Sequence, residues 1–187
     1  MSDNGNFTNH FLIAMPALED PNFHQTVTYI CEHNDDGALG IVINRPTDVT
    51  LGELLEHMDL QCSSAAIARN TVYMGGPVQR ERGFVLHSPG ETWESSLDVS
   101  PLVSVTTSRD ILAAIAQGGG PTRFMVALGY AGWGAGQLER EMAENAWLHG
   151  PADPDILFDL DAGDRWRAAA ALLGVDLLLL STDTGHA

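Results

Sequence analysis

Short apolar runs broken by turn residues fill the first part of the chain, and helix-period segments alternate with strands later. Phe11-Leu12-Ile13-Ala14-Met15 predicts a first strand closed by Pro16, and Glu19-Asp20-Pro21-Asn22 supplies turn chemistry. Two β-rich runs follow, Thr26 to Cys31 and Ala38 to Ile43. The segment Asn34-Asp35-Asp36-Gly37 between them is the strongest hairpin signal in the sequence. Apolar residues on both faces of the second run predict a central strand covered on both sides.

Thr50-Leu51-Gly52-Glu53 fits a capping box, in which the threonine accepts from a first-turn amide while the glutamate reaches back to the cap, so a helix to about Met58 is expected. Val72 to Met74 and Gly83 to His87 predict short strands around Gly75-Gly76-Pro77-Val78. Ser88 to Ser100 reads as a polar loop, and Leu102 to Thr106 as another strand. Thr107 or Ser108 caps a helix that Gly118-Gly119-Gly120-Pro121 stops. Farther on, the pattern predicts a helix from Gln137 to about Trp147, a short strand at Ile156-Leu157-Phe158, and a helix over Arg165 to Leu173. Asp161 or Asp164 caps this last helix and Gly174 ends it. Val175 to Ala187 carries no clear period. Strands first in hairpins and later alternating with helices predict an α+β fold, α/β in the broad sense. The expected organisation is one compact domain over residues 11–187, built on a large mixed sheet and preceded by a flexible segment, residues 1–10.

Between the run Arg123 to Leu128 and the helix at Gln137 lies a glycine ladder, Gly129-Tyr130-Ala131-Gly132-Trp133-Gly134-Ala135-Gly136. Glycines at a strand-to-helix junction imply positive φ angles, a close backbone approach, or amides exposed to an anion. The ligand-binding reading nominates Tyr130, Gly132, Gly134, Gly136 and Gln137, with Gly75 and Gly76 on a facing loop and Arg45 in Asn44-Arg45-Pro46 as the cation. The competing readings are glycines that let Trp133 and the helix pack closely, and a salt bridge from Arg45 to a carboxylate. The ladder matches neither a dinucleotide fingerprint nor a P-loop, and Glu139 and Glu141 just beyond it oppose an anion.

Charge narrows the partners. Lys+Arg 9 against Asp+Glu 25 gives a formal net charge of −16, and every cation is arginine. Without lysine there is no Schiff base, no pyridoxal-phosphate attachment and no P-loop lysine. A field of that sign disfavours direct binding to nucleic acid or an anionic membrane. The pairs Arg80 with Arg82 and Arg165 with Arg167 read as solvated, salt-bridging surface. Cys31 is the candidate nucleophile, with His33 two residues on and so expected on the same face of a strand. Against that, Val27 and Tyr29 share the face and predict a buried, inert thiol. No histidine or acidic spacing matches a metal site, no cofactor is expected, and no Gly-x-Ser-x-Gly elbow occurs. A signal-like N-terminus and a membrane-length apolar run are both missing, so a cytoplasmic protein with reduced thiols is expected.

Phe11 to Pro16, Thr26 to Pro46, Tyr73 to Val78, Gly129 to Trp133 through Glu139, and the closing Gly185-His186-Ala187 together resemble the AlgH/YqgE family of bacterial proteins. The resemblance implies a cytosolic protein with a large mixed sheet flanked by helices. Some members carry the label of transcriptional regulator, and the family offers no agreed catalytic residues to transfer. The expected function is a non-enzymatic binding or regulatory protein, acting through a protein partner or a small anionic ligand in a pocket rimmed by the Gly75 and Gly129 to Gly136 loops. A thiol enzyme or redox sensor using Cys31, and a direct DNA-binding regulator, are the alternatives.

Overall fold

The computed structural model describes residues 6–183, so the Gly185-His186-Ala187 motif lies outside it. The chain order is β1 (His10–Ala14), β2 (Val27–Asn34), β3 (Gly37–Val42), β4 (Pro46–Thr50), α1 (Leu51–His57), α2 (Ala65–Ala68), β5 (Thr71–Met74), β6 (Val78–His87), β7 (Ser96–Ser100), β8 (Val103–Thr106), α3 (Arg109–Ala116), β9 (Phe124–Gly134), α4 (Gln137–Ala143), β10 (Trp147–Pro151), α5 (Pro154–Phe158), α6 (Ala162–Ala171) and α7 (Leu177–Asp183). Among the described residues ten strands form one sheet, ordered β10-β1-β2-β3-β9-β6-β8-β7, with β5 joining β4 to β9. The β5–β9 pairing is parallel and β3–β9 and β6–β9 are antiparallel, which makes the sheet mixed and the fold α+β.

Strand β9 organises the sheet. One edge pairs with β6, while the other is divided end to end: β5 takes Val126 to Leu128 and β3 takes Ala131 to Gly134. Side chains alternate across the pleat. Phe11, Ile13, Tyr29, Ile41, Phe84, Leu86, Met125 and Ala127 face a core closed by Ile156, Leu157, Ala169 and Ala170 of α5 and α6. On the opposite face, Val72, Val85 and Val126 pack with Leu51 and Leu55 of α1 and Ile111, Leu112 and Ile115 of α3. A third cluster gathers Leu12, Ile30, Ala131, Trp133, Leu138 and Trp147.

Two backbone irregularities decide which side chains meet. In β9, Gly129 takes φ +81°, so Val126 and Leu128 before it and Ala131 and Trp133 after it lie on the same side of the sheet. In β2, the pairing steps from Ile30↔Gly40 to Glu32↔Leu39, leaving Cys31 as the extra residue of a bulge. Cys31 therefore stays with Tyr29 in the α5–α6 core, while His33 stacks on Phe7 of the third cluster.

The hairpin turn falls at Asn34 to Gly37, and the Thr50 hydroxyl accepts from the Glu53 N–H while the Glu53 carboxylate accepts from the Thr50 N–H, so the capping box forms as predicted. Four local expectations are corrected. The glycine ladder is mostly strand, since β9 runs through it to Gly134. The helix after it ends at Ala143, and Trp147 opens an unexpected strand, β10, that pairs with β1. Ile156 to Phe158 is helical, because Asp153 caps the segment with its carboxylate on the Asp155 N–H and Pro154 occupies the first turn. The polar loop after Ser88 contains β7, which pairs with β8. Upstream of residue 11, Phe7 is buried and the Asn9 side chain accepts from the Tyr29 hydroxyl. No helix among the described residues is long and apolar enough to cross a membrane.

Candidate functional site

The nominated glycines fall into two groups. Gly75 and Gly76 lie directly against Gly129 and Tyr130: the Gly75 N–H donates to the Leu128 carbonyl at 2.8 Å, and the Val42 N–H donates to the Gly75 carbonyl at 2.8 Å. A Cβ at Gly75 would stand 2.4 Å from the Gly129 carbonyl oxygen. These glycines let the β5–β6 connection wedge against β9, and the space between the two loops is backbone contact. The second group closes on itself. The Gly134 N–H donates to Gln137 Oε1 at 3.0 Å, Gln137 Nε2 donates to Glu141 at 2.8 Å, and Gly136, at φ +74°, is the N-cap of a seven-residue helix, α4. Tyr130 and Gly132 do border an open hollow of about 360 Å³, but Glu32 and Asp36 stand in its wall, the wrong sign for an anion.

Arg45 is also engaged, and with carbonyls rather than a carboxylate. Its two terminal nitrogens donate to the carbonyls of Pro21 at 2.6 Å and His24 at 3.0 Å, stapling the loop between β1 and β2. Cys31 is 2% exposed, with its thiol 3.8 Å from the Tyr29 carbonyl. Burial pushes the thiol up, and Glu32 adds to the shift. The β2 bulge turns His33 to the other side of the sheet, where Nδ1 accepts from the Phe7 N–H at 2.9 Å and Nε2 bonds the Glu139 carboxylate. No imidazolium is left to activate the thiol. Among the described residues no group of three or more His, Cys, Asp or Glu is placed to hold a metal ion.

The structure presents a different arginine. Arg165, on α6, is 3% exposed. Its Nε donates to the Leu160 carbonyl at 2.9 Å, one terminal nitrogen donates to the Ile43 carbonyl and lies 3.7 Å from Met125 Sδ, and the guanidinium sits over the Tyr73 ring at 5.1 Å. Among the described residues the other terminal nitrogen, Nη2, has no hydrogen-bond partner while remaining in reach of solvent, and no carboxylate pairs with Arg165. Placing a cation out of water costs several kcal/mol unless opposite charge and hydrogen bonds replace hydration. Carbonyl dipoles and a ring face replace part of it. Neutralising charge is missing.

Arg165 lines a cavity of about 260 Å³ with Arg69, Asn70, Thr71, Tyr73, Phe124, Met125, Val126 and Phe158. It lies where β5 and β9 begin side by side, roofed by α5 and α6, with Arg69 just past the end of α2. No carboxylate stands in the wall, although the chain is strongly acidic. Asp155 and Asp159, on either side of Phe158 in the chain, are engaged by Arg123, which donates to Asp155 at 2.8 Å and Asp159 at 2.6 Å with its guanidinium over the Phe158 ring at 5.2 Å. The Thr71 and Tyr73 hydroxyls make no intramolecular hydrogen bond among the described residues, and neither does the Arg69 guanidinium. The result is a recess with unpaired donors and positive charge, suited to a small anion.

Sequence reasoning placed Arg165 on a solvated surface, and this is corrected: it faces inward with Ala169 one turn on. The readable signal was an arginine four residues before a small apolar position on the buried stripe of a helix.

Comparison with known proteins agrees with the fold. The sequence profile described as AlgH-like matches residues 11–178. A UPF0301 protein of Thioalkalivibrio sulfidiphilus is 65% identical over 187 residues, covering 100% of both chains, and one of Nitrosococcus oceani is 58% identical, covering 97% of each. The solution structure of the AlgH protein from Pseudomonas aeruginosa superposes with a TM-score of 0.81 at 52% identity, covering 100% of this chain and 99% of that one. A crystal structure from Corynebacterium diphtheriae, at 20% identity and a TM-score of 0.75 over 97% of this chain and 94% of that one, shares the fold. With the profile spanning nearly all of the sheet and its helices, the chain belongs to the AlgH-like, UPF0301 family.

Proposed function

We propose that this protein is a non-enzymatic binding protein that takes a small anionic ligand on Arg165 and acts through contacts with a protein partner. The observation that carries the reading is a buried guanidinium with a free edge and no carboxylate, lining a cavity with a second arginine and no acid. An anion there supplies the charge that the fold withholds. The protein-contact half draws support from the same helix, because exposed Leu172 and Leu173 follow the end of α6 that carries Arg165 near its start. Regulation of transcription, the label of some family members, then runs indirectly. A net charge of −16 opposes a duplex, and the Cys31 thiol, buried and pushed up, lacks the activation that an enzyme or redox sensor needs.

The test is a thermal-shift titration of the whole protein with phosphate, small carboxylates and neutral analogues, repeated on Arg165→Met. A ligand that binds only the native state raises the melting temperature in proportion to the logarithm of its concentration above Kd. Anions are expected to raise it in the native protein, neutral analogues are not, and Arg165→Met abolishes the effect. A flat response to every anion, or an undiminished response in a folded Arg165→Met, overturns the reading.

A further inference from the structure

Resting on that reading, we infer that the anion in the Arg165 cavity is a phosphate monoester group, held between Arg165 and Arg69. Two arginines line one recess that no carboxylate lines. A carboxylate carries one negative charge and would leave the second cation unbalanced. A phosphate monoester carries about −1.5 to −2 at neutral pH and three acceptor oxygens.

The donor inventory agrees. Arg165 offers the N–H groups of its unpartnered Nη2, Arg69 offers an unengaged guanidinium fork, and the Thr71 and Tyr73 hydroxyls are free of intramolecular partners among the described residues. These donors come from three separate elements around one cavity, α6, the end of α2, and β5. Such a set suits a tetrahedral oxyanion better than a planar carboxylate, which presents its lone pairs in one plane. The acidic exterior does not forbid it, because exposed charges beyond about 8 Å are screened at physiological salt.

Size and lining describe the rest of the ligand. A cavity of about 260 Å³ falls just below the roughly 300–1,000 Å³ of sites for drug-sized molecules. Its lining is mostly polar, with a minor apolar share from Phe124, Met125, Val126 and Phe158. The fit is to a small organic phosphate, with room for inorganic phosphate and not for a dinucleotide.

Calorimetric titration of the whole protein with inorganic phosphate, methyl phosphate and acetate tests this, in the native protein and in Arg69→Gln, Arg165→Met and Arg165→Lys. Arg69 is exposed, so its variant is expected to fold. Methyl phosphate is expected to bind at least tenfold more tightly than acetate at pH 7.5. Its affinity falls as the second phosphate proton returns near pH 6, while acetate affinity does not change between pH 7.5 and 6. Arg69→Gln weakens methyl phosphate about tenfold and acetate less than threefold, Arg165→Lys weakens both, and Arg165→Met removes both. Inorganic phosphate binding as tightly as methyl phosphate keeps the phosphate assignment and removes the ester. Acetate equal to methyl phosphate, or Arg69→Gln without effect on it, overturns the phosphate inference and leaves the anion reading standing. No heat with any anion overturns both.

Discussion

Gly76 and Tyr130 sit backbone to backbone: a Cβ placed on Gly76 would lie 2.1 Å from the Tyr130 carbonyl carbon and 2.4 Å from the Ala131 nitrogen. Neither of those atoms belongs to a side chain that could swing aside. The glycine pair after β5 is therefore the device that lets β5 and β3 share one edge of β9, with Val42 and Leu128 both bonded to Gly75.

A contrast between glycines follows. Gly76→Ala is expected to lose at least ~2 kcal/mol of stability, because overpacking against main chain forces the backbone to move. At Gly134 the nearest atom to a new Cβ is Gln137 Oε1 at 3.9 Å, and φ is not left-handed. Gly134→Ala is expected to leave stability unchanged or raise it by about 0.5 kcal/mol through reduced chain entropy in the unfolded state. Urea unfolding of both variants decides it, and equal losses would contradict the division into packed and open glycines.

The two thiols should separate by reactivity. Cys31 is buried in the α5–α6 core, whereas Cys62 is half-buried near the start of α2. A thiol-specific chromogenic reagent is expected to titrate one cysteine promptly in the native protein, and the second only at the rate of global unfolding. Prompt modification of Cys31, located by peptide mapping, would restore it as a redox candidate.

Thr50 is expected to behave as an isolated cap. Its hydroxyl accepts from the Glu53 N–H at 3.2 Å at the start of α1, which buries Leu51 and Leu55 against β5 and β9. Thr50→Ala should cost about 1 kcal/mol in urea unfolding, and Thr50→Asp should recover most of it, since a carboxylate serves the same amide. No loss in the alanine variant would mean that water replaces the cap without penalty.

What was legible in the sequence shares one physical property: the signal was local. Asn34 to Gly37 fixes a turn by its own backbone preferences, and Thr50 with Glu53 bond within four residues. The misread elements depend on partners far along the chain. Trp147 to Pro151 is a strand because β1 offers an edge more than a hundred residues upstream, and it carries too few alternating positions to declare itself. The glycine ladder reads as a strand-to-helix junction because glycine opposes strand structure, yet β3 pairs with Ala131 to Gly134 and β6 with Tyr130, which hold it extended. The bulge at Cys31 left no composition signal, and so the expected pairing of Cys31 with His33 failed. The cavity was hidden for the same reason: Arg69, Tyr73, Phe124 and Arg165 are brought together by tertiary packing, and only Arg165 left a trace, as a cation on an alanine stripe.

Acid sensitivity is expected from a histidine pair on the sheet edge. His10 of β1 and His149 of β10 approach Nδ1 to Nδ1 at 3.3 Å, with the Phe7 ring against both and His33, bonded to Glu139, stacked on its other contact. One proton serves the close contact, because one ring must donate and the other accept. Burial lowers the His10 pKa and the His149 charge lowers it further, while burial lowers that of His149. Both lie below 6.5 in the fold, so the unfolded chain binds more protons as pH drops. The stabilisation is complete above pH 6.5 and is lost as pH falls below it. Unfolding free energies between pH 7.5 and 5.5 should therefore decline, and more gently in His10→Gln/His149→Gln than in the native protein. Parallel slopes would mean that the pair titrates alike in both states, and that the contact at the edge of β1 and β10 contributes nothing to the pH response.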